Sequence, residues 1–191
     1  MTLVVGLGNP DLPYKNNRHN VGFMVIDALV DNLSSYEKIS KTNFKGELLK
    51  TPSLLLLKPM TYMNLSGESV RAVDDYFKPD YIIVIHDDLD LPFGTVRFKI
   101  GGGHGGHNGL RSLDSHIGPD YIRVRIGIGK PLHKSDVSHY VLSDFSLCQR
   151  EFLPQILLHV SKSIRALLTS DLKEVALQYS LKDSHCMQER E

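Results

Sequence analysis

Four polar clusters carry side chains able to do chemistry: Asn9 with Tyr14, His19 and Asn20; Met63-Asn64; His86-Asp87; and the run Gly101-Gly102-Gly103-His104-Gly105-Gly106-His107-Asn108-Gly109. Covalent catalysis lacks an obvious agent, because no Gly-x-Ser-x-Gly turn is present and neither Cys148 nor Cys186 falls in a catalytic motif. What remains is a histidine, an acid and several carboxamides, a set that suits a water activated by general base. Neutral imidazole takes the proton near pH 7, a carboxylate fixes its tautomer, and amide N–H groups steady the oxyanion. A histidine at a helix start can also be only a cap or a packing residue.

Other chemistries have weaker support. His104, His107, His86 and His19 could ligate a metal, but His-x-x-His on a glycine loop lacks the helical or carboxylate setting of zinc patterns. Gly6-x-Gly8 is half of a dinucleotide fingerprint, with Asp11 where the third glycine belongs. The glycine loop has no Gly-Lys-Ser/Thr ending, so it is not a P-loop. No metal and no cofactor are expected.

The elements that must position these residues read as an alternation of strands and helices. A buried strand at Leu3 to Val5 breaks into Gly6-Leu7-Gly8-Asn9-Pro10, and from His19 the apolar positions Val21, Val25, Ala28, Leu29 and Leu33 recur at helical spacing. Segments 45–50 and 53–57 read as a hairpin, Ser66 to Phe77 as a short helix, and Tyr81 to Ile85 as the strongest strand. Strands are expected at 94–100 and 121–128, with the glycine loop and a short helix between them. In the second of these Ile122, Val124, Ile126 and Ile128 face one way, Arg123 and Arg125 the other. An amphipathic helix is expected from Asp144 to Leu168. The class is therefore α/β, a single globular domain over 1–180 with a central mixed twisted sheet flanked by helices, and a polar, frayed tail over 181–191. Polar clusters at strand ends are where such sheets bind ligands.

The chain has 191 residues, 41% of them apolar and 23% charged, with 22 Lys+Arg against 22 Asp+Glu. This suits one folded domain and excludes a strongly basic nucleic-acid coat. Charge is nonetheless segregated: Asp74 to Asp90 holds six Asp against Lys78, a net −5, and Gly94 to Lys134 holds seven Lys/Arg against two Asp, a net +5. Two solvated faces that differ by accident would look the same; the alternative is an anion site in the basic half. Two distant cysteines predict no disulfide framework, and the absence of a signal-peptide pattern or a long apolar run predicts a soluble, cytoplasmic protein.

Five motifs in order resemble the bacterial peptidyl-tRNA hydrolase family: Gly6-Leu7-Gly8-Asn9-Pro10 with Tyr14 and Arg18-His19-Asn20-Val21-Gly22; Lys58-Pro59-Met60-Thr61-Tyr62-Met63-Asn64-Leu65-Ser66-Gly67; His86-Asp87-Asp88-Leu89-Asp90-Leu91-Pro92; Gly102-Gly103-His104-Gly105-Gly106-His107-Asn108-Gly109-Leu110; and Arg123-Val124-Arg125-Ile126-Gly127-Ile128-Gly129. The resemblance runs from residue 3 to about 145 and implies a monomeric, metal-independent esterase. Such an enzyme cuts the ester between a peptide and the 3′ end of tRNA, recycling tRNA during translation. It implies that His19 is the general base, that Asp87 holds and polarises it, and that Asn9 sits beside the scissile ester. Asn64 and Asn108 would bind the peptide backbone and the tRNA terminus, with Tyr14 and Tyr62 lining the groove near the 3′ end. Lys99 and Arg125 are the expected grips on a tRNA phosphate, with Arg97 and Arg123 next. The implied partner is the acceptor stem and 3′ end of peptidyl-tRNA, with no membrane and no obligatory protein partner.

Some positions depart from the family pattern. Asp11 replaces the usual glycine, which predicts an altered backbone in the loop carrying Asn9; Asn17 replaces Thr, Tyr62 replaces Phe and Asp88 replaces Glu. Segment 130–143, joining the basic strand to the last helix, is expected to form part of a lid. The alternatives are an RNA-binding relative without activity, a metal-dependent hydrolase and, most distantly, a dinucleotide-binding oxidoreductase.

Overall fold

The computed structural model describes residues 1–182. Seven strands form one mixed sheet: β1 (Thr2–Gly6), β2 (Glu37–Ile39), β3 (Gly46–Lys50), β4 (Leu54–Pro59), β5 (Tyr81–Asp88), β6 (Val96–Ile100) and β7 (Ile122–Gly127), in the order β2-β3-β4-β1-β5-β7-β6. The central strands β4, β1, β5 and β7 are parallel, and β2, β3 and β6 extend the sheet antiparallel at its two edges. Among the described residues there are six α-helices: α1 (Val21–Val30), α2 (Ser66–Phe77), α3 (Asn108–Ile117), α4 (Val137–Val141), α5 (Leu147–Ala166) and α6 (Leu172–Tyr179).

Alternation along the strands divides the core into two layers. Val4, Ile83, Ile85, Val124 and Ile126 pack with residues of α1 and α5, while Leu3, Val5, Leu55, Leu57 and Val84 pack with residues of α2 and α3. The expected split of β7 therefore holds, with its isoleucines and Val124 in the first layer. The tight approach of α1 explains the first glycines better than any nucleotide does. A Cβ on Gly6 would lie 2.2 Å from the Gly22 carbonyl oxygen, and one on Gly22 would lie 2.5 Å from that of Ile85.

The strand edges shift by a few residues from expectation, and β2, α4 and α6 are additional elements. The long helix starts at Leu147, where Ser146 and Gln149 form a reciprocal capping box, and not at Asp144. Leu181 forms an isolated bridge with Val96 on the edge strand β6. The rest of the expected tail, 183–191, lies outside the described residues.

Because β4, β1 and β5 are parallel, their carboxyl ends deliver three of the four polar clusters to one edge of the sheet: Met63-Asn64 after β4, Asn9 after β1 and His86-Asp87 within the end of β5. The glycine loop begins at the opposite end, where the Gly101 N–H donates to the Tyr121 carbonyl ahead of β7. It runs back along the sheet, so that His107 meets Asp87.

Candidate active site

The floor of the site is a knot of His19, Asp87 and His107. His19 sits in the 3-10 turn before α1, Asp87 near the end of β5, and His107 at the N-cap of α3. His19 Nδ1 lies 3.0 and 2.9 Å from the two Asp87 carboxylate oxygens, and His107 Nε2 lies 2.9 Å from Asp87 Oδ1. His107 Nδ1 accepts the backbone N–H groups of Gly109 and Leu110, at 3.1 and 3.3 Å. An acceptor Nδ1 places the His107 proton on Nε2, where it is donated to Asp87. The carboxylate likewise draws the His19 proton to Nδ1 and leaves Nε2 as a free lone pair.

Electrostatics agree with that proton arrangement. Burial disfavours the charged form of His19, but the Asp87 carboxylate outweighs it by charge and hydrogen bond, and the His19 pKa is raised above 6.5. Burial would lift the Asp87 carboxyl, yet His19 and His107 together hold it far below the usual carboxylate range. His86 donates from Nδ1 to the Asp87 carbonyl at 2.8 Å and packs edge-on to His107. Burial and the neighbouring His107 push its pKa down to about 3, so it stays neutral and acts as packing.

Around this floor is a cleft of about 460 Å³ whose lining includes His19, Asp87, Lys99, Asn108 and Arg125, together with Val137, Ser138 and Val141 from α4. Asn9, Tyr14, Tyr62 and Asn64 lie outside that lining. Asn9 is buried: its Oδ1 accepts the Met63 N–H at 2.8 Å, and its backbone is held both ways by the Asn20 amide at 2.9 Å. This leaves the Asn9 Nδ2 group without a partner among the described residues. Asn64 is exposed with no partner among the described residues, and Asn108 is exposed with Oδ1 3.3 Å from Arg111. Tyr62 is exposed at a left-handed φ of 63°, and its hydroxyl donates to the Asp11 carboxylate. Asp11 itself has an ordinary extended backbone, φ −75° and ψ 148°, so its side chain makes a contact where an altered backbone was expected.

Of the four basic candidates, two are suited to an anion. Lys99 has no ion-pair partner among the described residues, and burial with the adjacent Arg125 and Arg123 cations lowers its pKa, the sign of positive charge short of counter-charge. Arg125 keeps an exposed edge while its Nε donates to Asp88 at 2.8 Å. The other two are corrections. Arg123 is only 1% exposed and holds the glycine loop, donating to the Gly102 and Gly103 carbonyls at 2.7 Å and to Asp114 at 3.2 Å. Arg97 turns to the Leu181 carbonyl, closing the sheet edge.

A model of the peptidyl-tRNA hydrolase family matches residues 3–187. The chain belongs to that family. The peptidyl-tRNA hydrolase of Sulfurovum sp. (strain NBC37-1) is 59% identical over 184 residues, covering 95% of this chain and 97% of that relative. That of Aliarcobacter butzleri is 57% identical, covering 95% of this chain and all of the relative. Among solved structures, peptidyl-tRNA hydrolase from Acinetobacter baumannii matches with a TM-score of 0.88 at 36% identity, over 95% of each chain.

Within this peptidyl-tRNA hydrolase family chain, His107 is the site residue the sequence hid best. Its motif suggested only a metal ligand, whereas its two nitrogens join the α3 cap to Asp87. Metal-ligating atoms of His19, Asp87 and His107 do lie within 4.8 Å of one another. The Asp87 carboxylate already accepts from both imidazoles, so a cation bridging it to His107 would displace the Nε2 proton of His107.

Proposed function

We propose that the chain hydrolyses the ester between peptide and tRNA in peptidyl-tRNA, with His19 as general base and Asp87 as the group that fixes it. The observation that carries this reading is the His19–Asp87 pair, which points the Nδ1 proton at a carboxylate and leaves Nε2 unpartnered in a cleft. Water forms a bond from its oxygen to the ester carbonyl carbon as one of its protons passes to Nε2. The tetrahedral intermediate collapses by breaking the bond from carbon to the ribose oxygen, and His19 returns the proton to that oxygen. Free tRNA and an N-blocked peptide leave. Neither step calls on a metal or a cofactor.

In this reading the Asn9 Nδ2 donor faces the ester and, with Asn64 and Asn108, steadies the oxyanion and the peptide backbone. Tyr14 and Tyr62 pack against the 3′ end, and Lys99 and Arg125 hold a phosphate without reading sequence. The unit is a single domain over 1–180, working as a cytoplasmic monomer that recycles tRNA without an obligatory protein partner. Among the described residues no helix is long and apolar enough to cross a membrane.

The test is cleavage of N-acetyl-aminoacyl-tRNA with and without EDTA, beside His19→Ala. Chelator-insensitive cleavage that falls by about 10²- to 10⁴-fold in the variant, with binding kept and unblocked aminoacyl-tRNA spared, is expected. Binding without cleavage in the parent protein would instead make this an RNA-binding relative, and loss on chelation would revive the metal-dependent hydrolase.

A further inference from the structure

The mechanism has no use for Arg18, which precedes the base and is 8% exposed. No carboxylate partners it among the described residues. Its Nη1 donates to the Asp144 carbonyl at 2.7 Å, the Ser143 hydroxyl at 2.8 Å and the Ser143 carbonyl at 3.3 Å, and reaches the Tyr140 carbonyl at 3.5 Å. Nη2 donates to Gln149 Oε1 at 3.1 Å, the same oxygen that accepts the Ser146 N–H in the α5 capping box. The guanidinium lies 4.3 Å from the centre of the Tyr140 ring. The backbone adds a strand-like contact, with the Arg18 N–H on the Ser143 carbonyl and an isolated bridge between Asn17 and Asp144.

All these contacts converge on the connection from α4 to α5. A planar cation that places several N–H groups on carbonyls at the end of one helix and on the cap of the next fixes the angle between them, which a flexible ammonium cannot do. The Ser143 hydroxyl passes the restraint on, accepting from Arg18 and donating to the Tyr140 carbonyl at 2.7 Å. Tyr140 in turn donates its hydroxyl to the Ile128 carbonyl at 2.6 Å, tying α4 to the segment after β7. Val137, Ser138 and Val141 of this tethered helix form one wall of the cleft that His19 lines.

We propose that Arg18 is a positioning residue for substrate, holding α4 as a fixed wall opposite the glycine loop and in register with the neighbouring base. The 137–143 part of the expected lid is then a wall rather than a moving cover. The activity arm of the test rests on the peptidyl-tRNA hydrolysis proposed above; the structural arm does not.

Arg18→Lys and Arg18→Gln would be compared with the parent in steady-state cleavage of N-acetyl-aminoacyl-tRNA and in amide hydrogen exchange of the free protein. A loosened wall raises KM by about five- to twentyfold in Arg18→Gln while kcat stays within about threefold, and Arg18→Lys recovers only part of the loss. Exchange speeds up by at least about tenfold in 137–145 and is unchanged in β1 and β5. The acid limb of the pH profile stays where His19 and Asp87 put it. A fall in kcat at constant KM, or exchange that rises uniformly, would mean a plain stability role and overturn the proposal; so would full rescue by lysine. If Arg18→Gln does not fold, Ser143→Ala removes only the hydroxyl relay and is expected to give the same split at about two- to fourfold in KM; no change in KM there overturns the proposal equally. A parent that fails to cleave at all removes the hydrolase reading, and the exchange comparison still decides whether Arg18 fixes α4.

Discussion

Among the described residues every side-chain polar atom of His19, Asp87 and His107 at the floor of the cleft is paired except His19 Nε2, whereas at the rim Lys99, on the lining, has no ion-pair partner and Asn64, outside the lining, is exposed with no partner. The floor is largely buried and already wired by hydrogen bonds. Its one open valence is the lone pair that the proposed chemistry needs. The rim leaves donors and cations in water, where a passing phosphate or peptide carbonyl can exchange places with solvent at small cost. The difference separates two tasks. Proton transfer demands fixed geometry and a fixed tautomer, and binding many tRNAs demands contacts that carry charge without shape.

The sharpest way to break the floor is Asp87→Asn. The carboxamide oxygen can still accept an imidazole N–H, but the N–H₂ that replaces the other carboxylate oxygen would point a donor at the His19 N–H. The easiest relief moves the His19 proton to Nε2, occupying the lone pair that should take water's proton. A loss in kcat of about 10²- to 10⁴-fold is expected, with KM little changed. The surviving activity also carries a pH signature. Because Asp87 raises the His19 pKa above 6.5, the parent's kcat/KM should decline on the acid side from a point above 6.5, as the base becomes protonated. Without the carboxylate that decline should move to lower pH. An unmoved limb would mean that Asp87 does not govern the base.

The same knot has a stability consequence. The depressed Asp87 carboxyl contributes stability that is fully present above its unfolded value of 3.8 and is given up as pH falls from there towards the folded pKa. The raised His19 pKa works the other way, contributing stability that is full below 6.5 and lost as pH rises through the folded value. Denaturant midpoints across acid and neutral pH, compared between the parent and Asp87→Asn, would show a steeper acid-side slope in the parent.

Breaking the rim should look different. Lys99→Ala and Arg125→Ala are each expected to raise KM for the tRNA substrate by about tenfold at low salt and to lower the salt slope of binding by about one, with kcat nearly intact. Arg123→Ala should not behave this way, because its cation is spent on the glycine-loop carbonyls. If Arg123→Ala reproduced the salt signature without loss of stability, the division between Arg125 and Arg123 would be wrong.

That division also marks where sequence reading ran out. Helix α2 and strand β5 were legible because their apolar spacing is long and regular, and the two faces of β7 followed from simple alternation. Alternation says that Arg123 and Arg125 leave the apolar layer; it cannot say that a glycine loop from the other end of the sheet covers the first and spares the second. The short elements were hidden for related reasons. The three residues of β2, two of them exposed, are too few to show a period, and the five of α4 are too few to display a helical face. His19 and Asp87 lie 68 positions apart, so their pairing came from family resemblance and never from spacing. Arg18 sat in plain view inside its motif, but its acceptors lie more than 120 positions away and are mostly backbone carbonyls, which leave no trace in a sequence.

The smallest expected effect lies between floor and rim, at the contact of Asp11 with Tyr62. Both residues depart from the family pattern, and the structure joins them: the tyrosine hydroxyl donates to the carboxylate, and the Tyr62 pKa is raised, first by that hydrogen bond and then by the charge of Asp11. The contact links the loop after Asn9 to the residue just before Met63, whose N–H holds the Asn9 amide. It could therefore matter to geometry at the ester. But it is exposed, it runs beside a stronger buried bond, and an exposed polar pair contributes little against water. Tyr62→Phe and Asp11→Asn are each expected to change kcat/KM by less than about threefold, and the double variant no more than the larger single one, as two ends of one weak bond should behave. Steady-state cleavage by the three variants tests this directly. A fall of tenfold or more in either single variant would place the pair on the floor side of the comparison, as a part of the machinery that fixes Asn9.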